Sequence, residues 1–167
     1  VYAGCQTDLD GDGSSFAADI AYLEKGTQTL DMNYVSNHYG KKTICEIMAD
    51  GTLKDSSRKL FRGTIDFKKG ASGSVGQESE SVLLLGNDAV NRTIPLILCA
   101  EEDVVGNHGA AIGEMDEETL FYYGSRGIDR KTAENMAARA KLDRVLGKVP
   151  DGREKEQIQK YLSEVVF

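Results

Sequence analysis

From about Asp19 to Val105 apolar and polar residues alternate in short stretches. Ile20 and Tyr22, then Leu30, Met32 and Tyr34, and later Ile44, Leu60, Ile65 and Phe67 fall into period-2 patterns, as strands with one buried face do. Val82–Leu85 and Ile94–Leu98 are continuous apolar runs, the pattern of strands covered on both faces. Glycines at 26, 40, 51, 63, 70, 73, 76 and 86 punctuate the turns. The loosest segment, Lys68 to Glu80, predicts a long turn or a bulged strand. Near residue 116 the period changes. Asp116, Glu117 and Glu118 place acids in a first helical turn, where the helix dipole favours them, and Ser125-Arg126-Gly127-Ile128 is a stop. Asp129 caps a second helix with an apolar stripe through Ala133, Met136, Ala137, Ala140, Leu142, Val145 and Leu146. Gly147–Gly152 breaks it, and a third helix is predicted over Arg153–Val166. The predicted division is therefore a β body over 1–115 and a helical region over 116–167. The β segments have no helical pattern between them, which excludes βαβ units. A sandwich and an irregular β-solenoid both satisfy the pattern.

At 167 residues the chain is one domain, or a domain with a small appendage. A net charge of −7 with scattered Lys and Arg argues against nucleic acid as a partner. No run of 18 apolar residues exists to span a membrane, and VYAGCQTDLD has no signal-peptide pattern. Three widely spaced cysteines, Cys5, Cys45 and Cys99, fit a reducing, cytoplasmic setting better than a disulfide framework. The chain starts at Val rather than Met, so a C-terminal fragment of a longer protein is expected.

Candidate chemistry is sparse. Asp8 to Asp19 nearly fits a calcium loop, but no helix precedes it and a strand pattern follows, so a polar turn between strands is the favoured reading. The junction Arg92–Ile128 carries an apolar run, the acidic Glu101-Glu102-Asp103, and a predicted turn, Gly106-Asn107-His108-Gly109, with one of two histidines. His38 sits in a similar setting; a turn histidine bonded to backbone is the bland reading of both. Cys99 is by default a buried inert thiol and, more sharply, a thiolate ligand for iron. There is no phosphate-binding P-loop, no Gly-x-Ser-x-Gly, no His-Glu-x-x-His and no Cys-x-x-Cys. The residues alone reach a β domain with a helical tail, used for interaction or as a scaffold.

A further set of residues adds to this. Thr93-Ile94-Pro95, Asp103-Val104, His108-Gly109-Ala110-Ala111, Asp116-Glu117-Glu118, Leu120-Phe121-Tyr122 and Ser125-Arg126-Gly127-Ile128 occur in that order. Upstream stand Gln28-Thr29-Leu30-Asp31, His38 with Gly40 and Thr43, Gly51-Thr52-Leu53, Phe61-Arg62-Gly63, and Gln77 before Leu83-Leu84-Leu85. Together they resemble the SufB/SufD family of iron–sulfur cluster assembly proteins over nearly the whole chain. The resemblance implies a right-handed parallel β-helix followed by a small C-terminal helical region. It implies a non-enzymatic scaffold subunit of the SUF complex that binds no nucleotide itself. A SufC-type ATPase would be bound through the C-terminal helices, Ile128–Phe167. A SufB-type subunit, or a second copy in a homodimer, would be met at the end of the β-helix. SufB-like chains carry His-Glu-Ala-Thr where this one has His108-Gly109-Ala110-Ala111, and Cys where it has Glu78, so the chain is more similar to the SufD type. His108 is then the implied contact for a transient iron–sulfur cluster at the subunit interface. SufD relatives often carry Cys two residues before the histidine, where this chain has Gly106. Cys99 is the remaining candidate metal ligand, provided its side chain faces the interface. The competing readings are a β-solenoid binding or adhesion module without a metal role, which the lack of Trp disfavours for sugars, and a calcium-regulated module.

Overall fold

A computed structural model describes residues 1–166. Phe167, the last residue of the predicted helical region, and the side chains of Val165 and Val166 lie outside the described part. Eight strands follow one another: β1 Tyr2–Leu9, β2 Ser15–Glu24, β3 Thr29–His38, β4 Ile44–Lys54, β5 Arg58–Phe67, β6 Ser74–Leu85, β7 Val90–Cys99 and β8 Val104–Gly113. Consecutive strands do not pair. The odd strands form one parallel sheet, β1-β3-β5-β7, and the even strands another, β2-β4-β6-β8. The chain therefore winds as a β-solenoid of four coils, two strands per coil, of the kind the resemblance implies.

The register explains why no strict repeat is visible in the sequence. Tyr2 lies beside Asp31, 29 residues on, but Ile44 lies beside Val75, 31 on, and Arg58 beside Val90, 32 on. Turns of unequal length absorb the difference, so stacked side chains recur at a drifting interval. Inside, β5 shows the alternation most clearly, with Lys59, Phe61, Gly63, Ile65 and Phe67 inward. Phe61, Ile65 and Phe67 are fully buried, as are Ile47 and Leu53 of β4. Each such side chain contributes on the order of 1.5–3 kcal/mol through its burial. The Tyr22 ring packs against its register partner Gly51, where an added Cβ would be 2.1 Å from the ring.

One segment expected as a long turn or a bulged strand is part turn and part strand, and one expected turn is a strand. Only residues 68–73 of the Lys68–Glu80 segment form a turn; Ser74–Glu80 belongs to β6. Its inward positions are Ser74, Gly76, Glu78 and Glu80, followed by Val82. Polar residues on the buried side invert the usual alternation and hide the strand. Gly106–Gly109 is likewise no turn but the middle of β8.

The helices are α1 Glu117–Gly124, α2 Arg130–Leu146 and α3 Gly152–Tyr161. Asp129 caps the second as predicted, and Asp116, expected within the first turn of α1, is its cap; they accept from the backbone N–H of Thr132 and Thr119 at 2.8 and 2.6 Å. Gly127, at φ 78°, turns the chain between them. The third helix is shorter than predicted and passes into a π turn, Leu162–Val166. α2 lies on the outer face of the even sheet. It buries Ala133, Ala138, Leu142 and Leu146, and it leaves Met136 of the predicted stripe exposed. Arg144 pairs with Asp50, Lys141 donates to Ser81 Oγ at 2.6 Å, and Lys54 donates to Asn135 at 2.7 Å. Among the described residues no helix is long and apolar enough to cross a membrane.

Candidate functional site

Parallel pairing stacks side chains from one coil to the next, and two stacks on the inner side of the even sheet carry charge. The first runs Ile47, Glu78, His108. The second runs Ala49, Glu80, Ala110. Glu80 is fully served. Lys59 and Thr93 both donate to it, and the Tyr22 hydroxyl donates at 3.3 Å. Lys59 also reaches Thr93 Oγ1 at 3.3 Å and lies over the Phe61 ring at 5.5 Å. Burial pushes the Lys59 ammonium down from the usual lysine range, and Glu80 pulls it back. Burial, reinforced by Glu80, pushes the Tyr22 phenol up. Such a pair is stable only because each member has several partners.

Glu78 differs. Its side chain is 0 % exposed, and neither carboxyl oxygen accepts a hydrogen bond. The carboxylate crosses the interior and lies against Gly63 of the odd sheet, where an added Cβ would be 2.0 Å from Oε2. Burial first, then repulsion from Glu80, raises its pKa to about 7, against a smaller opposing pull from Lys59. Beside it stands His108, whose Nδ1 is 3.6 Å from Oε1 and whose side chain is 26 % exposed. That separation exceeds hydrogen-bond reach.

His108 thus occupies an inward position on β8, the last strand of its sheet among the described residues. The accompanying β7 edge exposes Ile94, Leu96 and Leu98, and β8 exposes Val105 and Ile112. Cys99 is exposed, as the last residue of β7, in register with Phe67. A Cβ on Gly106 would be 2.8 Å from Ile97 Cγ2, so Gly106 faces Ile97 across the interior. His108 then faces Pro95, four residues along β7 from Cys99, roughly 13 Å at strand rise. The fold does not bring these two candidate ligands together. His38 is no turn histidine: it is fully buried at the end of β3, shares a 2.6 Å hydrogen bond between Nδ1 and Thr43 Oγ1, and stacks on Phe67. The calcium-like residues are also dispersed. Asp8 accepts from Asn37 at 2.7 Å, Asp12 from the Lys41 N–H at 2.8 Å, and Asp19 pairs with Lys148.

The family model for the SUF system FeS cluster assembly, SufBD core domain, matches residues 1–141, the whole solenoid and most of α2. The chain belongs to the SufBD core family. It is 31 % identical over 152 residues to the iron–sulfur cluster assembly protein SufD of Bacillus subtilis (strain 168), covering 91 % of this chain and 35 % of that one. The SufD protein of Escherichia coli (strain K12) is 29 % identical over 132 residues, with 78 % and 31 % covered. A chloroplastic SufBD family protein of Arabidopsis thaliana is 28 % identical over 143 residues, with 86 % and 26 % covered. The chain spans about a quarter to a third of the length of these curated relatives. Within this SufBD core, the residues missed by sequence reasoning are Lys59, Thr93, Glu80 and above all Glu78 as a neighbour of His108. The available signal was two carboxylates spaced i, i+2 in phase with Val82, which puts both on the apolar side of one strand.

Proposed function

We propose that this chain is a non-enzymatic scaffold subunit for assembling iron–sulfur clusters in the cytoplasm, with His108 as its contact to the nascent cluster. The cluster is cargo, held transiently where the last coil meets a second β-helical subunit of the SufB type. The observation that carries the reading is the character of that last coil. Its strand edges carry backbone groups with no further strand beside them, flanked by exposed Leu96, Leu98 and Ile112, and His108 opens beside them. Unpaired parallel edges of this kind are templates for pairing with another chain. Membership of the SufBD core family supports the assembly role.

A SufC-type ATPase would dock on the helices. A groove of about 400 Å³ between β2, α2 and α3, lined by Leu23, Val145, Val149, Ile158 and Tyr161, offers apolar surface there. Cutting the chain after Gly127 would uncover Asp50 and the outer face of β2 and β4, so substitution is the cleaner experiment. Met136→Glu and Tyr161→Glu, at exposed positions, should abolish co-purification with the ATPase while preserving the circular dichroism spectrum. For the cluster, His108→Ala should lower both iron and sulfide in the assembled complex. Unchanged contents would sink the role given to His108. A homodimer instead of a SufB-type pairing would be seen as doubled mass for the chain alone by light scattering.

A further inference from the structure

We propose that Glu78 and His108 together form a two-donor site for a divalent first-row metal ion, with Fe(II) as the ion it takes in service of the scaffold. The assignment of Fe(II) as cargo rests on the reading of His108 given above; the donor pair rests on its own geometry.

The carboxylate is buried, and neither oxygen accepts a hydrogen bond from the protein. Two residues along the same strand, Glu80 receives three donors, so the interior is able to satisfy a carboxylate where it is built to do so. An unserved anion in an apolar stack over Ile47 is costly, so the carboxyl either keeps its proton or is joined by a cation that displaces it. Glu78 has room because Gly63, opposite, has no side chain. His108, the next residue in the stack, is itself part exposed.

The spacing can be compared with two arrangements. A hydrogen-bonded imidazole and carboxylate would stand about 2.7–3.2 Å apart. Two donors each about 2.1 Å from one ion stand roughly 3.0 Å apart at a right angle and roughly 3.4 Å apart at the tetrahedral angle. The observed Nδ1 to Oε1 distance of 3.6 Å is too long for a hydrogen bond and slightly longer than the tetrahedral value, so a small shift of either side chain brings both donors onto one ion. One imidazole and one carboxylate suit Fe(II), Co(II), Mn(II) and Zn(II) rather than a soft, thiolate-seeking ion. Among the described residues no third His, Cys, Asp or Glu completes a cage. The ion would keep open positions for water, sulfide or donors from a facing subunit, and would be held weakly enough to be passed on.

The test is anaerobic titration of this chain with Co(II), followed by its ligand-field absorption and by the His108 imidazole proton resonances, with Fe(II) as competitor. One Co(II) should bind per chain, shift the His108 resonances paramagnetically and be displaced by Fe(II). His108→Ala and Glu78→Gln should each weaken binding at least tenfold, in the range seen when groups around a metal are removed; Cys99→Ser should not. Glu78→Asp, which keeps the charge but withdraws it by one methylene, should weaken binding with the fold intact and guards against a misfolded Gln variant. Binding by Glu78→Gln or Glu78→Asp as tight as the parent chain's, or unshifted His108 resonances, would overturn the pair. If Co(II) binding follows both residues but the iron and sulfide of the assembled complex ignore His108→Ala, the metal site stands and its use in cluster assembly falls.

Discussion

Glu78 and Glu80 differ by two positions on one strand and behave as opposites. Glu80 is part of a hydrogen-bonded ion pair, so removing its partner should strand a buried charge. Lys59→Met is expected to destabilise the chain by about 3–5 kcal/mol, and combining it with Glu80→Gln, which keeps an acceptor for Tyr22, should recover much of the loss. Urea unfolding of the three variants measures this. Glu78 predicts the reverse. Its folded pKa, about 7, lies above the ordinary carboxylate value, so the folded state binds the proton more tightly than the unfolded state does. The metal-free chain should therefore lose stability as pH rises from about 4.5 to about 7, by on the order of 2–3 kcal/mol. Glu78→Gln should remove that slope and raise the unfolding midpoint at pH 8. A slope that persists in the variant would assign it to other groups. Neither role was legible locally. His108 stood out by rarity, being one of two histidines, whereas Glu78 was one acid among many.

At the scale of elements, capping and stop signals were read correctly because they act within four residues. Asp116 and Asp129 bond to their own helices, and Gly127 turns on its own backbone. Ser74–Glu80, read only as a turn or a bulged strand, and Gly106–Gly109, misread as a turn, are strands whose hydrogen bonds go to residues about 30 positions away. A strand held that firmly by its neighbours tolerates glycine and polar residues that its own propensity would reject. Gly51 illustrates the close fit between coils. Gly51→Ala would drive a methyl group into the Tyr22 ring and is expected to cost about 1–3 kcal/mol. For α2, Leu142→Ala should cost about 2–4 kcal/mol. Hydrogen exchange should show the loss concentrated in α2 and in β2 and β4 beneath it, since Leu142 is buried where the helix meets the solenoid.

The whole molecule is a stack whose interior repeats but whose last coil does not. That coil has no successor among the described residues, so apolar side chains that would be covered in mid-stack remain open. Leu96→Lys and Ile112→Lys, both at exposed positions, should leave the thermal unfolding midpoint within about 2 °C while preventing association with a SufB-type subunit in gel filtration. Retained association would move the interface elsewhere. The sequence by itself determined that strands precede helices, where each helix begins, that the chain has a SufBD-type succession of motifs, and that His108 stands near the end of the strands. These follow from residue type and short-range periodicity. Tertiary structure alone decided which residues stack, that Glu78 lies beside His108 and against Gly63, that Cys99 lies far along the edge from both, and that Asp8, Asp12 and Asp19 serve three different partners. Those outcomes depend on inward or outward parity and on a register that drifts between 29 and 32 residues per coil. Turns of unequal length keep the inward positions in phase from coil to coil, which no local pattern in the sequence reveals.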